Sequence, residues 1–143
     1  MSKFMWLLGV VAVLGLGLMA YVRFAPTKAA DWNIDLSERP QAMAALSPDQ
    51  VAVLEGGAYI DLRHGDLAQL DAIAMATPRT RRLAGSLAEG RITWETRSLI
   101  WGFPDYTTAQ VQGEGLVIFA RLRFGSSDLG VNAKRLRQWI AQL

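Results

Sequence analysis

The chain has 143 residues and a mass of 15.7 kDa, and its 51% hydrophobic and 20% charged residues exclude a disordered polar chain while allowing one compact domain with a short appendage. The absence of cysteine excludes disulfide scaffolds, thiolate nucleophiles and thiolate metal sites, and a single histidine, His64, is too few for a multi-histidine metal centre, so no cofactor or metal is predicted. Residues 31–143 carry a net charge of −1, which disfavours nucleic acid as a partner because binding phosphates requires a surplus of positive charge.

A long apolar segment lies near the start of the chain. Phe4–Val22 comprises 19 residues without a charge, and as a helix it would rise about 28 Å, close to the hydrocarbon thickness of a bilayer. Trp6 and Tyr21 lie near its ends, where amphipathic rings favour the membrane interface, and Lys3 and Arg23 bracket it. The segment is therefore predicted to be a transmembrane helix.

A cleaved signal peptide is the alternative for this segment, because a charged start and an apolar core are typical of both. The best cleavage site, Leu18-Met19-Ala20, begins with a large residue, and Lys28-Ala29-Ala30 has a lysine where a small residue is needed. An uncleaved anchor is therefore favoured. Flanking positive charges nearly balance, but few residues precede the segment, so we predict a single-pass inner-membrane protein of a bacterium with its domain in the periplasm.

The chain divides by composition into an anchor (residues 1–25), a Pro- and Ala-rich acidic linker (26–57) and a domain (58–143). Within the linker, Ser47–Gln50 is expected to open one helical turn, with the serine as cap and the proline in the first position. Elsewhere prolines, including Pro26 and Pro40, favour short and irregular structure.

Charge is distributed unevenly along the chain. Residues 31–71 carry a net charge of −6, and residues 72–143 carry a net charge of +5. Either the acidic half folds against the basic half, or the basic half faces anionic lipid. The first interpretation is favoured because the cations are interleaved with strand residues rather than clustered next to the membrane segment.

The domain begins with a strand-then-helix pattern. Ala58–Arg63 is typical of a short strand. Asp66 is placed to cap a helix, and Thr77-Pro78 ends it because a residue before proline resists helical geometry. One face of this helix is apolar: Leu67, Leu70, Ile73 and Ala74.

The rest of the domain is predicted to consist of strands and a final helix. The strands are Arg79–Leu87, Arg91–Trp101, Tyr106–Gln112 and Leu116–Phe124. Residues 132–143 form an amphipathic helix with Asn132 as its candidate cap. Short loops favour an antiparallel meander of about four to five strands, which with the two amphipathic helices gives an α+β fold after the transmembrane helix.

Three arginines share one face of the predicted sheet. Arg97, Arg121 and Arg123 alternate with the apolar positions, so they project opposite Ile92 and Leu116. A lattice of salt bridges that fixes the sheet is the favoured interpretation. The alternative is a basic cradle for an anionic head group or for a carboxylate of a partner.

The segment Gly125–Gly130 contains two serines and Asp128 but is not a nucleophile elbow. It lacks the G-x-S-x-G spacing, and the chain has no second histidine to complete a relay with His64. These polar groups are expected to satisfy backbone donors at a turn before the final helix. No catalytic residue is predicted, and the protein is expected not to be an enzyme.

Three segments resemble the family catalogued as domain of unknown function 1499. They are Thr77–Ser86, Thr96–Tyr106 and Arg121–Asn132, and the third is the most specific because it has few free positions. The likeness covers residues 58–143, and the apolar start followed by Tyr21–Pro26 is similar to the membrane-anchored bacterial branch of that family.

The resemblance implies a fold and a membrane setting rather than a reaction. Many members have paired aspartates where this chain has Phe103-Pro104-Asp105-Tyr106, and many have a cysteine that this chain lacks, so a redox or metal role does not transfer. Taken with the arginine face, the resemblance gives seven candidate binding residues: Arg97, Ser98, Arg121, Arg123, Ser127, Asp128 and Asn132.

Two functions are compatible with these features. The first is a membrane-anchored, non-enzymatic accessory domain that contacts a partner protein or an assembly of the cell envelope, because five tryptophans and several arginines suit an interface. The second is the binding or processing of a small anionic or lipid ligand in a pocket lined by arginines.

Overall fold

The computed structural model describes residues 2–38, 43 and 46–143. In these residues the helices are α1 (Lys3–Phe24), α2 (Ala29–Trp32), α3 (Leu67–Ala76) and α4 (Val131–Ile140). The strands are β1 (Ala52–Leu54), β2 (Gly57–Leu62), β3 (Thr80–Ser86), β4 (Arg91–Arg97), β5 (Pro104–Gln112) and β6 (Gly115–Leu122).

In the described part of the chain the strands form one six-stranded antiparallel sheet in the order β1-β2-β6-β5-β4-β3. Strands β3 to β6 are a meander, and β2 pairs with the free side of β6. The predicted α+β class with an apolar N-terminal helix is therefore confirmed, with one strand more than expected. The pattern does not predict β1, because three residues are too few to show an alternation.

The first face of the sheet is apolar and packs against α3 and α4. Side chains of β2, β4, β6 and α4 form one buried cluster that includes Ile60, Ile92, Trp94, Leu116, Ile118 and Trp139. The rings of Trp94 and Trp139 meet edge to face with their centroids 5.7 Å apart. The alternation predicted for β4 and β6 therefore places the core where it was expected.

Helix α3 begins and ends as its sequence predicts. The Asp66 carboxylate accepts a hydrogen bond of 2.8 Å from the backbone N–H of Ala68, which satisfies one of the free donors of the first turn. Leu67, Leu70 and Ala74 are buried under the sheet. Thr77 is the C-terminal cap, immediately before Pro78.

Strand β4 is shorter than predicted, since it ends at Arg97 rather than at Trp101. The backbone N–H of Ser98 donates to the carbonyl of Phe103 at 3.0 Å, which closes a tight loop. Gly102 has a φ of 74° in this loop, a conformation that favours glycine. The alternation continues through Trp101 in the sequence, but the turn ends the ladder first.

Two predicted helix starts are wrong. Helix α4 begins at Val131 with Gly130 at the cap position, and Asn132 is buried inside the first turn. The Asp128 carboxylate accepts from the N–H groups of Gly130 and Asn132, so an upstream side chain does the capping. Ser47–Gln50 forms a turn rather than a helical turn, because Asp49 adopts a left-handed φ of 58° and its carboxylate binds Arg63. The predicted interruption at Pro40 lies outside the described residues.

The second face of the sheet combines polar side chains with two buried apolar ones, Tyr59 and Val117, which pack with Leu36 of the chain that follows α1 and covers this face. The backbone N–H of Leu36 donates to Gln110 at 2.8 Å, and the Thr93 hydroxyl donates to Asn33 at 3.0 Å. The ring of Trp32 stacks on the ring of Tyr106 with centroids 4.1 Å apart. Residues 25–36, called here the covering segment, therefore bind the sheet directly.

Helix α1 projects from this covering segment with most of its apolar side chains exposed. Among the described residues it is the one helix that is long and apolar enough to cross a membrane. Its 22 residues would span about 33 Å. Val22 is buried against the domain, so the end of α1 is part of the folded unit.

Candidate functional site

The structure places the seven candidate residues in three different regions. Arg121 and Arg123 lie under the covering segment, Arg97 and Ser98 lie at the end of β4, and Ser127, Asp128 and Asn132 lie at the start of α4. The predicted common face of the three arginines is present. Glu95, Tyr106 and Arg121 are paired neighbours across β4, β5 and β6, so they share one face of the sheet. Arg97 and Arg123 are each two positions from Glu95 and Arg121, which places them on the same face. The seven residues do not converge on one pocket.

Arg121 is a half-buried cation that binds the chain's own backbone. Its guanidinium donates to the carbonyl of Trp32 and, at 3.2 Å, to the Thr108 hydroxyl. Its Cζ atom lies 5.3 Å from the Trp32 ring centroid and 4.9 Å from that of Phe119. No carboxylate of the described residues pairs with it, and burial lowers the pKa of Arg121 to about 10. The role of Arg121 that follows from these contacts is to hold the covering segment on the sheet.

Arg123 holds the same segment closer to α1. One of its Nη atoms donates to the carbonyl of Pro26 at 2.6 Å, and the other donates to the Thr27 hydroxyl at 2.7 Å. The Tyr106 hydroxyl lies 3.3 Å from that second nitrogen. Its recorded hydrogen bonds are therefore to neutral oxygens rather than to the carboxylates of the favoured salt-bridge lattice.

Arg97 connects the end of α1 to a buried carboxylate. Its Nε donates to Glu95 at 2.8 Å, and one Nη atom donates to the carbonyl of Gly102 at 2.9 Å and to that of Val22 at 3.4 Å. Glu95 also accepts from Arg81 at 3.0 Å, and its side chain is 1% exposed. Burial alone would raise the pKa of Glu95, but the two arginines hold it below its usual range.

Arg97 also lies between two adjoining hollows on the surface. The first hollow has a volume of about 420 Å³ and lies beside the end of α1, and the second has a volume of about 390 Å³ and reaches α4. Arg79, Arg97 and Ser98 line both hollows. We call the two together the basic groove, because six cations line it: Arg23, Arg79, Arg81, Arg97, Lys134 and Arg135.

Charge in the groove is only partly neutralised. Among the described lining residues, Glu95 is the one carboxylate of the first hollow, and the second hollow has none. Arg135 is paired with Asp105 at 3.2 Å, outside the groove lining. In the described part of the chain, neither Arg79 nor Lys134 forms an ion pair. Two unneutralised cations therefore face the same hollow.

Arg79, an exposed residue that lines both hollows, is held in a strained backbone conformation. Its φ is 57°, a left-handed value that costs a non-glycine residue roughly 1 kcal/mol or more. Its carbonyl accepts from the N–H of Arg97, and its Nε donates back to the carbonyl of Arg97, both at 3.0 Å. Strain of this kind persists only where neighbouring bonds impose it, and it is concentrated at functional sites.

Ser127 and Asp128 line a third, mainly apolar cavity of about 310 Å³, which Ser98 and Asp105 also line. The Ser127 hydroxyl accepts from the N–H of Leu129 at 3.2 Å, so this serine caps a turn as predicted. Burial raises the pKa of Asp105, against the pull of Arg135. The Nδ2 of Asn132 is buried without a hydrogen bond of ordinary geometry among the described residues. The lining of this cavity includes two carboxylates and no cation, so it does not suit an anion.

The basic groove lies in a region of the chain that matches a known protein family. The sequence profile of the family described as "protein of unknown function (DUF1499)" matches residues 31–143. The chain belongs to this family. The match covers every residue of the basic groove except Arg23, which comes from α1. No curated protein and no solved structure matches the chain.

The structure adds five cations to the candidate site of this DUF1499 domain: Arg23, Arg79, Arg81, Lys134 and Arg135. A signal for two of them exists in the sequence. Arg79 and Arg81 alternate at the start of β3, and pairing β3 with β4 places Arg81 opposite Glu95. The others come from helices whose packing against the strand ends is not written in any local pattern.

Proposed function

We propose that this DUF1499 domain binds a small anion bearing a phosphate or a comparable group in the basic groove. The observation that carries the proposal is the second hollow, in which Arg79, Arg97, Lys134 and Arg135 are lining residues and no carboxylate is. Guanidinium groups bind phosphate oxygens through paired, charge-assisted hydrogen bonds. The hollow also has neutral polar side chains that are able to donate, including Ser98 and Gln138.

Preorganisation favours a phosphate over a loosely held counterion. Arg97 is fixed by Glu95 and by two backbone carbonyls, so ordering its side chain costs little on binding. Arg79 is fixed at Nε, which leaves its Nη atoms to meet a ligand. This function corresponds to the ligand-binding alternative from the sequence, with a different set of arginines.

The test is a titration of the full chain, in a neutral detergent, with inorganic phosphate and with a short-chain phosphatidylglycerol below its micelle concentration. We expect saturable binding that weakens with salt. The double variant Arg79→Gln, Lys134→Gln should bind at least about tenfold more weakly, since each charged hydrogen bond contributes about 1.5 kcal/mol or more.

Arg137→Gln is the matched control, because Arg137 is an exposed cation of α4 that does not line the groove. It removes the same charge as Lys134→Gln from the same helix, which is one of the two charges that the double variant removes, and should leave affinity nearly unchanged. Equal weakening by the control and by the double variant would mean that only net charge matters, and it would contradict a built site. Preference for the lipid over phosphate would identify a head group as the ligand.

We also propose that α1 is an uncleaved inner-membrane anchor with the domain on the periplasmic side. Its last residues are part of the fold, since Val22 is buried and Arg123 binds Pro26 and Thr27. Cleavage after Ala30 would remove these contacts, whereas cleavage after Ala20 would leave them, so they argue against the second of the two sites. N-terminal sequencing of the mature protein and protease protection of spheroplasts test the anchor and its orientation separately.

Contact with a protein partner stays a prediction. The tryptophans that suggested it are largely used inside the domain: Trp94 and Trp139 are in the core, and Trp32 stacks on Tyr106. In the described residues after α1, Trp101 is the one tryptophan whose side chain is exposed. Its surroundings favour a different kind of contact, described next.

A further inference from the structure

The loop between β4 and β5 exposes three consecutive apolar side chains. Leu99 is 70% exposed, Ile100 is 68% exposed and Trp101 is 40% exposed. Their backbone is ordered by two hydrogen bonds between Ser98 and Phe103, at 3.0 and 2.9 Å. A fixed loop that holds large apolar groups in water is typical of a contact surface.

This loop is joined to the end of α1. An Nη atom of Arg23 donates to the carbonyl of Ile100 at 2.8 Å. Gly102 lies so close to Arg23 that a Cβ there would be 3.0 Å from the arginine side chain. The loop and the last turn of the apolar helix therefore belong to one surface.

An aromatic row continues that surface. The ring centroids of Tyr21 and Phe124 are 6.1 Å apart, those of Phe124 and Phe103 are 6.3 Å apart, and those of Phe103 and Trp101 are 6.3 Å apart. Leu129 extends the same end of the domain, where it is 92% exposed beside Phe103 and Phe124. Aromatic side chains in this arrangement are typical of a membrane interface.

The neighbouring charge identifies the occupant. The first hollow of the basic groove contains Leu99 and Gly102 together with Arg23, Arg79, Arg81 and Arg97. Apolar side chains bordered by a surplus of cations match a bilayer, with acyl chains under a layer of anionic head groups. A protein partner would need an apolar patch bordered by acidic groups to match this surface. A bilayer with anionic head groups has both features by its composition.

We propose that Leu99, Ile100 and Trp101 insert into an anionic lipid bilayer beside α1, so that the domain lies against the membrane with the first hollow at the level of the head groups. The inference rests on the proposed membrane anchor, whose failure the label at Leu14 described below would reveal, and it uses the charge of the groove but not its ligand. It therefore stands or falls separately from the binding of phosphate in the second hollow.

The test uses the absence of natural cysteine, which allows single labels. Ile100→Cys carries an environment-sensitive fluorophore in the full chain, reconstituted in vesicles of phosphatidylcholine and phosphatidylglycerol. Leu14→Cys, in the middle of α1, is the control inside the membrane. Leu87→Cys, exposed at the turn between β3 and β4, is the control in water.

We expect the label at Ile100 to be quenched by nitroxide groups on the acyl chains and protected from aqueous iodide, as at Leu14. Iodide quenching equal to that at Leu87 would overturn the proposal. Protection that disappears when the protein is diluted into excess lipid would also overturn it, because a second copy of the chain would then cover the loop. Vesicles of phosphatidylcholine alone should protect the label less, and equal protection would overturn the role of the arginines.

Discussion

The sheet carries Ile92 and Trp94 beneath two helices on its first face, whereas it carries Glu95 and Arg121 beneath an irregular segment on its second face. The first face is stabilised by the removal of apolar surface from water, which is insensitive to direction. The second is stabilised by directed hydrogen bonds from arginines to carbonyl oxygens and to one carboxylate, together with a smaller apolar cluster of Leu36, Tyr59 and Val117. A segment with one short helix, α2, is thus held on the sheet by directed hydrogen bonds and a small apolar cluster, whereas α3 and α4 pack mainly through apolar faces.

Removing the largest side chain of the first face should have the largest effect. Trp94 is fully buried, meets Trp139 and donates from its indole to Asp71 at 2.9 Å. We expect Trp94→Ala to lower the free energy of unfolding by about 4 kcal/mol, because the cavity cannot collapse fully. Urea unfolding of the full chain in detergent, followed by circular dichroism, measures it. Trp94→Phe should lose less, and an equal loss would show that the hydrogen bond, rather than packing, dominates this face.

Breaking the buried carboxylate of the second face should come next. Glu95→Gln leaves Arg97 without its charged partner, so we expect a loss of about 3 kcal/mol. Exposed Glu114→Gln is the control and should change stability by less than about 0.5 kcal/mol. A negligible effect at Glu95 would mean that the second face does not depend on ion pairing.

The same carboxylate predicts a dependence on pH. Its folded pKa is lowered below the ordinary 4.5, so its stabilisation is fully present above pH 4.5 and is lost as the pH falls through the folded value. The difference in stability between the wild type and Glu95→Gln should therefore be constant near neutral pH and should shrink in acid. A difference that grows in acid would contradict the assignment.

Loosening the covering segment should have a smaller effect. Trp32 is half-buried and contacts Tyr106 and Arg121, so we expect Trp32→Ala to cost about 2 kcal/mol, less than a fully buried tryptophan. Hydrogen exchange should increase at Leu36, whose N–H binds Gln110. Trp32→Phe retains the stacking and is the control. Unchanged exchange in the alanine variant would show that the arginines alone hold the segment.

The smallest change in stability should separate strain from function. Arg79→Gly relieves the left-handed backbone, whereas Arg79→Ala retains it, so the glycine variant should be more stable than the alanine variant by about 1 kcal/mol. Both should lose affinity for phosphate, because both remove the cation. A glycine variant that binds as well as the wild type would exclude Arg79 from the site.

The first face could be predicted from the sequence, and the second could not. Alternation in β4 and β6 and the cap at Asp66 are local signals, because period and capping depend on residues a few positions apart. The cover of the second face depends on pairs such as Arg121 and Trp32, which are 89 positions apart and follow no period. Strand β4 ends at Arg97 because the loop from Ser98 to Phe103 closes there. The alternation of apolar and polar residues continues to Trp101, so the sequence pattern does not reveal this end.

The candidate site follows the same division. Arg97 and Ser98 were named from the sequence and lie in the groove, since the alternation of β4 and the motif around it single them out. Arg23 and Lys134 come from two helices at opposite ends of the chain, and only tertiary packing brings them to the same strand end. Arg121 and Arg123 share the predicted face, but they bind carbonyl oxygens of the covering segment. The alternation of residues along a strand shows which face a side chain is on, but it does not show whether that face is covered by another segment or exposed to solvent.

Arg97 binds the carbonyl of Val22, and Arg123 binds that of Pro26. These contacts make the junction between α1 and the domain rigid, unlike a flexible tether. A head on a free tether presents every side to its surroundings in turn. With α1 in a bilayer, as we propose, the domain would turn with its helix and would keep one side toward the lipid. Molecules that travel in the plane of the membrane then meet the same edge of the protein at each encounter, which reduces their orientational search to rotation about a single axis.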